Sequence, residues 1–141
     1  MTRPLHGKRA LVTGASGALG SAIARRLAAD GAHLLLHGNA RPEALQTLVS
    51  EITAQGGSAE CCLFDITSDS ATAEAMARVL AGGPVQIVVN NAGVHDDAVF
   101  PAMRDAQWRH VIDVSLHGFF HVPQPLVMPM IRQRWGRIVN V

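Results

Sequence analysis

The residues with the clearest chemical meaning form one loop, Thr13-Gly14-Ala15-Ser16-Gly17-Ala18-Leu19-Gly20. It follows an apolar run of strand length, Ala10-Leu11-Val12, and opens a stretch of helical period. Glycines let backbone approach a ligand closely, and the first turn of the following helix offers free N–H groups at the positive end of its dipole. Such a loop suits a pyrophosphate. Gly14, Ser16, Gly17, Ala18, Leu19 and Gly20 are therefore the expected phosphate-side residues. About 20 residues further on, at the tip of the second strand, a dinucleotide site that prefers an unphosphorylated ribose carries an Asp or Glu. His37-Gly38-Asn39 stands there, without a carboxylate. An acid would repel a 2′-phosphate, so its absence, with Asn39 and Arg41 close by, favours NADP. On this reading, Gly38→Asp inverts the cofactor preference.

The elements that must position this loop follow from the hydrophobic pattern. Short apolar runs alternate with longer Ala-rich stretches of helical period, which is the signature of βαβ units and a parallel sheet. The pattern predicts strands at 10–12, 32–37, 59–64, 85–89 and 137–141. The run Leu34-Leu35-Leu36, apolar without alternation, predicts a strand covered on both faces. Helices are predicted from Ala18 to Asp30, with Leu19, Ile23 and Leu27 on one face, from Pro42 to the Gly56-Gly57 stop, and from Thr67-Ser68-Asp69, which offer N-caps, to about Leu80. A long helical region starts near Asp105 and contains Pro123, Pro125 and Pro129, so two helices or one bent helix are expected.

Composition narrows the function classes. The chain has 141 residues, 48% of them hydrophobic and 16% charged, which suits a single domain with a real core and argues against disorder. Twelve basic residues against eleven acidic ones leave no bulk field for nucleic acid. No apolar run approaches the roughly 18 residues of a membrane span, and residues 1–8 lack the apolar stretch of a secretory signal. Adjacent Cys61 and Cys62 point to opposite faces of a strand, so a disulfide between them is geometrically poor and a reducing, cytoplasmic setting is expected. The sequence contains no Tyr, and its one Lys is Lys8. A mechanism that needs a Tyr, or another Lys, is not completed by these residues.

Four landmarks in order, Thr13-Gly14 to Gly20, Asp65-Ile66 after strand three, Asn90-Asn91-Ala92-Gly93 after strand four, and Gly136-Arg137-Ile138-Val139-Asn140-Val141, resemble the short-chain dehydrogenase/reductase superfamily. Residues 90–97 and 130–138 are most similar to its 3-oxoacyl-[acyl-carrier-protein] reductases. The resemblance implies that Asp65 accepts from the adenine amino group while Ile66 packs on the ring. It implies that Asn90 braces neighbouring strands, that Asn91 belongs to the cofactor site, and that Ala92-Gly93 admits the nicotinamide ribose. It also implies an acyl-carrier-protein-linked substrate, with Arg132 and Arg134 as candidates for contact with the acidic carrier, and a homo-oligomeric intact form.

The departures are equally definite. The main branch of the superfamily has glycine where Ala18 stands, and the Gly17 spacing is more like the branch that includes sugar epimerases; Ala18 is tolerable if its φ is negative. Ser115 occupies the usual place of a catalytic Asn that holds a proton-relay water. The superfamily's Ser and Tyr-x-x-x-Lys, which deliver the proton, would lie beyond strand five, where this sequence stops. His110, His117 and His121 fall at spacings of seven and four, but no further ligand is evident and no metal is expected. The expected fold is an α/β, Rossmann-like, doubly wound parallel sheet of about five strands in order 3-2-1-4-5. It is expected to form one NAD(P)-binding domain over 1–141 that lacks the catalytic and substrate part. Two functions follow: the cofactor-binding part of an NADPH-dependent 3-oxoacyl reductase, or a non-catalytic NADP-binding module. A short-chain dehydrogenase acting on another alcohol, ketone or sugar is a further alternative.

Overall fold

Val12, the last residue of the first strand, sits in register between Leu36 and Val89, and the fold is organised around that point. The computed structural model describes residues 3–141. Its strands β1 (Arg9–Val12), β2 (His33–Gly38), β3 (Ser58–Leu63), β4 (Ile87–Asn90) and β5 (Arg137–Asn140) form one parallel sheet in order β3-β2-β1-β4-β5. The expected strand number and order are those observed. Because the chain winds one way from β1 to β3 and the other way to β4 and β5, the loops leaving β1 and β4 part and open a crevice at the C-terminal end of the sheet.

Helices α1 (Ala18–Ala29) and α2 (Pro42–Ala54) cover one face. There Val12, Leu34 and Leu36 pack with Ala24, Leu45 and Ile52. Helices α3 (Asp69–Ala81), α4 (Asp105–Ile112), α5 (Gly118–His121) and α6 (Gln124–Gln133) lie on the other side, where Leu11, Leu35 and Val88 meet Met76, Val79 and Leu126. The unbroken Leu34-Leu35-Leu36 run is thus buried on both faces, as a central parallel strand requires. Cys61 and Cys62 divide between the two layers as free thiols, and burial pushes the Cys62 thiol up to about 11.

Two local features differ from a simple periodic reading. β4 starts at Ile87 rather than Val85, and just before it the Gln86 side chain accepts from the Arg9 backbone N–H at 2.8 Å. Between α4 and α5 the helix widens into a π-type turn over Asp113–His117, and the main break comes at Val122-Pro123, just before α6. Pro123 and Pro125 stand at the start of α6, where a missing N–H breaks no intrahelical bond, while Pro129 lies inside it. β5 is exposed along its length, as are Trp108 and Phe120. No helix among the described residues is long and apolar enough to cross a membrane.

Candidate functional site

The loop after β1 is built by close backbone approach. Gly14 has φ +63, and a Cβ there would stand 2.9 Å from the Cα of Ala92. At Gly20 the need is steric: a Cβ would lie 2.4 Å from the Gly14 carbonyl oxygen and 2.7 Å from the Asn91 amide nitrogen. Gly17 is different, with φ −80 and only the Gly14 carbonyl near its missing Cβ, at 3.5 Å. Ala18, the departure from the usual glycine spacing, is the first residue of α1 and does not have positive φ. The condition placed on it is met. Gly17, at the N-cap of α1, supplies no side-chain cap, and the first turn holds no acid, so helix amides face the crevice with an uncompensated positive dipole end.

Behind the loop, Thr13 and Asn91 lock β1 to β4. The buried Thr13 hydroxyl accepts from the amides of Asn91 and Ala92 at 3.0 and 2.9 Å and reaches the Val89 carbonyl at 3.3 Å. The Asn91 side-chain amide donates to the carbonyls of Thr13 and Gly14 at 3.1 and 3.2 Å. Asn90 points the other way along the sheet and donates to the Asn140 side chain at 3.0 Å. Bracing is therefore shared by both asparagines, and Asn91 carries the part that touches the phosphate loop.

All thirteen expected cofactor residues, Gly14, Ser16, Gly17, Ala18, Leu19, Gly20, Asn39, Arg41, Asp65, Ile66, Asn91, Ala92 and Gly93, line one cleft of about 520 Å³. That lies within the roughly 300–1,000 Å³ of small-molecule sites. At the β2 end, exposed Asn39 and Arg41 flank its mouth, Arg41 at the N-cap of α2. Asp65 sits across from them. Its Oδ1 accepts from the Thr67 hydroxyl at 2.7 Å and the Thr67 amide at 2.9 Å, and these bonds hold its carboxyl below the usual range, hence ionised. Ser68, not Asp65, caps α3 by accepting from the Ala71 amide. Seven further residues line the cleft, among them two titratable rings, His37 and His110. His37 stood in view as a polar residue at the end of a buried apolar strand.

Ser115 lies in the π-type turn and lines a smaller cavity of about 230 Å³ with Thr13, Asn90 and Asn140. Ile66, Ala92, Gly93 and Val114 border both spaces, so the smaller cavity adjoins the cleft on the β4 side. Of the three histidines of the long helical region, His117 and His121 stay neighbours, with ring centroids 6.4 Å apart, while His110 lies apart from them. His110 faces the cleft, His117 pairs with Asp113 at 2.8 Å, and His121 lies 3.1 Å from Asp69. Among the described residues no group of three His, Cys, Asp or Glu is placed to hold a metal ion.

A parallel sheet in this order, with a glycine loop and free helix amides at its switch point, defines a nucleotide-binding α/β protein. Residues 8–141 match the family model described as short chain dehydrogenase, and the chain belongs to that family. It is 42% identical over 137 residues to "Nodulation protein G" of Rhizobium sp. (strain N33), a match covering 97% of this chain and 55% of that protein. It is 40% identical over 133 residues to "3-oxoacyl-[acyl-carrier-protein] reductase FabG" of Aggregatibacter actinomycetemcomitans, covering 93% of this chain and 55% of the other. Among solved structures it superposes on a 3-oxoacyl (acyl-carrier-protein) reductase from Agrobacterium tumefaciens C58 with NADP bound. There the TM-score is 0.90 at 33% identity, covering 98% of this chain and 53% of the other. The chain thus spans about half the length of these relatives.

Proposed function

We propose that this chain is the NADP(H)-binding part of a reductase that converts a 3-oxoacyl thioester, carried on acyl carrier protein, to the 3-hydroxyacyl thioester. One observation carries the reading: the cleft joins open helix amides to a β2 tip that has Asn39 and Arg41 but no acid at position 38. The residues fit the cofactor. The amides at the start of α1 would hold the pyrophosphate, Arg41 and Asn39 the 2′-phosphate, and Asp65 the adenine amino group, with Ile66 against the ring. Gly14 and Gly20 let the loop close on Asn91 and Ala92, while Gly17 and Gly93, where a Cβ would meet no atom nearer than 3.5 Å, would leave backbone open to the pyrophosphate and the nicotinamide ribose. Bound there, NADPH supplies hydride to a carbonyl carbon.

Ser115 would hold a water in the adjoining cavity. The alkoxide formed by hydride arrival needs a proton, and the Tyr that the family resemblance implies is not among these 141 residues. On this reading the chain binds and orients the cofactor, while proton delivery belongs to residues outside it. Exposed Arg132 and Arg134, at the end of α6, are the proposed contacts for an acidic carrier protein, and the exposed aromatic residues of α4 and α5 face a second subunit. A second reading is a nucleotide-binding module without catalysis.

NADPH oxidation by acetoacetyl thioester, followed beside NADP+ binding, tests these readings together. The expected result for this chain is binding without turnover. Turnover would overturn the division of labour, and binding of neither NADP+ nor NADPH would overturn the cofactor assignment.

A further inference from the structure

His37 is a titratable ring that follows the apolar run Leu34-Leu35-Leu36 near the end of β2, and it is only 3% exposed. Both ring nitrogens are occupied. The Gly14 backbone N–H donates to Nδ1 at 3.2 Å, and Nε2 lies 3.0 Å from the Phe64 carbonyl oxygen. An amide N–H only donates and a carbonyl only accepts, so Nδ1 must carry the lone pair and Nε2 the proton. The surroundings therefore specify one neutral tautomer. The His37 carbonyl also accepts from the Ala15 amide at 2.8 Å, so two consecutive amides of the phosphate loop are tied to this one residue of β2. Gly14, at φ +63, is held from the opposite side by Asn91.

A proton on Nδ1 would set two donors against each other and leave the Gly14 amide unpaired in a confined place. The groups around the ring divide in their effect. Burial disfavours the imidazolium and, as the largest influence, pulls the group below its ordinary range; the Phe64 carbonyl and the Asp65 carboxylate oppose it. His110, on α4, lines the same cleft and stands near enough to Asp65 to favour its ionised form. Cys62, the register partner on β3, stays a neutral thiol, and the loop after β1 brings amides and Ser16 but no charge. The neutral form is the one that shapes the loop, so loop order is complete above the ordinary imidazole range of about 6.5 and declines as pH falls below it.

We propose that His37 is a positioning residue of the phosphate loop, whose unprotonated ring sets the Gly14 amide and makes nucleotide affinity decline on acidification. This rests on the cofactor reading above, and the test separates the two. NADP+ is titrated into the chain and its His37→Asn and His37→Phe variants from about pH 8 to about pH 5.5, spanning the imidazole range. Hydrogen exchange of the Gly14 amide is followed over the same range without nucleotide. The Asn oxygen can accept from Gly14 as Nδ1 does, but it does not titrate.

The expected wild-type result is a loss of affinity of about tenfold on acidification, the scale of one unpaired buried donor. Asn should retain only the shallower loss due to the 2′-phosphate of the ligand, which itself takes up a proton near pH 6. Phe should bind more weakly at every pH. Divided by the intrinsic, base-catalysed rate at each pH, Gly14 exchange should rise on acidification in the wild type and not in His37→Asn. Identical pH profiles in wild type and His37→Asn, or Gly14 exchange indifferent to both pH and His37, would overturn the proposal. Gly14 exchange that follows His37 in a chain that binds no NADP+ would uphold the positioning role and overturn the cofactor reading.

Discussion

Gly20→Ala is expected to remove measurable nucleotide binding, whereas Gly17→Ala three residues earlier should cost far less. The added methyl at position 20 would stand 2.4 Å from the Gly14 oxygen, 2.7 Å from the Asn91 amide nitrogen and 3.0 Å from the Cα of Ala15. Two of these atoms are backbone, and the third belongs to the side chain that bonds the loop carbonyls. None can yield without moving the loop. Overpacking of this kind costs about 1–3 kcal/mol, and it acts on the segment that presents amides to phosphate. A displacement worth about 1.4 kcal/mol already costs tenfold in affinity. Gly17 has ordinary negative φ, and a Cβ there would make only an ordinary contact, 3.5 Å from the Gly14 carbonyl oxygen. Calorimetric titration of the two variants, each checked for an unchanged far-ultraviolet dichroism spectrum, measures the contrast. Equal losses in both would show that the loop is not held by the Gly20 approach.

Gly38→Asp alone is expected to weaken binding of both NADP+ and NAD+, and the intended inversion of preference should appear only with a second change at Leu45. A Cβ on Gly38 would meet Leu45 Cδ1 at 2.8 Å, and Leu45 is wholly buried between α2 and the sheet. The Leu45 methyl stands where the new Cβ would sit, so an inversion by the single substitution requires that buried side chain to give way. Leu45→Val removes the outer methyl groups at about 0.8 kcal/mol for the lost buried methylene. With that room, an Asp at 38 repels a 2′-phosphate and can accept from a ribose hydroxyl. The double variant should shift the NADP+ to NAD+ affinity ratio toward NAD+ by at least about tenfold, or 1.4 kcal/mol. An inversion by Gly38→Asp alone would mean that Leu45 moves freely and packs less tightly than its burial indicates.

The sheet order and the loop were legible because each rests on short-range grammar: apolar runs, glycines at a strand-to-helix turn, and caps and stops at helix ends. The residues that line the cleft were legible for the same reason, since the switch point brings together four segments that each carry a local signature. The role of His37 was not, because it depends on which amide the β1–β2 register brings opposite the ring. The paired asparagines show the same limit: one side chain turns toward β5 and the next toward the phosphate loop, and only the alternation along an actual strand end assigns them. The wide turn at Asp113–His117 has no proline or glycine inside it to announce it. It belongs to a region where Gly118 passes so close to Ile66 that a Cβ would stand 2.9 Å from Ile66 Cγ1, a tertiary demand that helical period does not reveal.

Titration of the chain with NADP+ and NAD+ in parallel, at a pH where His37 is neutral, tests the cofactor assignment most directly. Saturable binding of NADP+ at least about tenfold tighter than NAD+ is the predicted result, a difference of about 1.4 kcal/mol. Binding of neither dinucleotide, or a preference for NAD+, would contradict it.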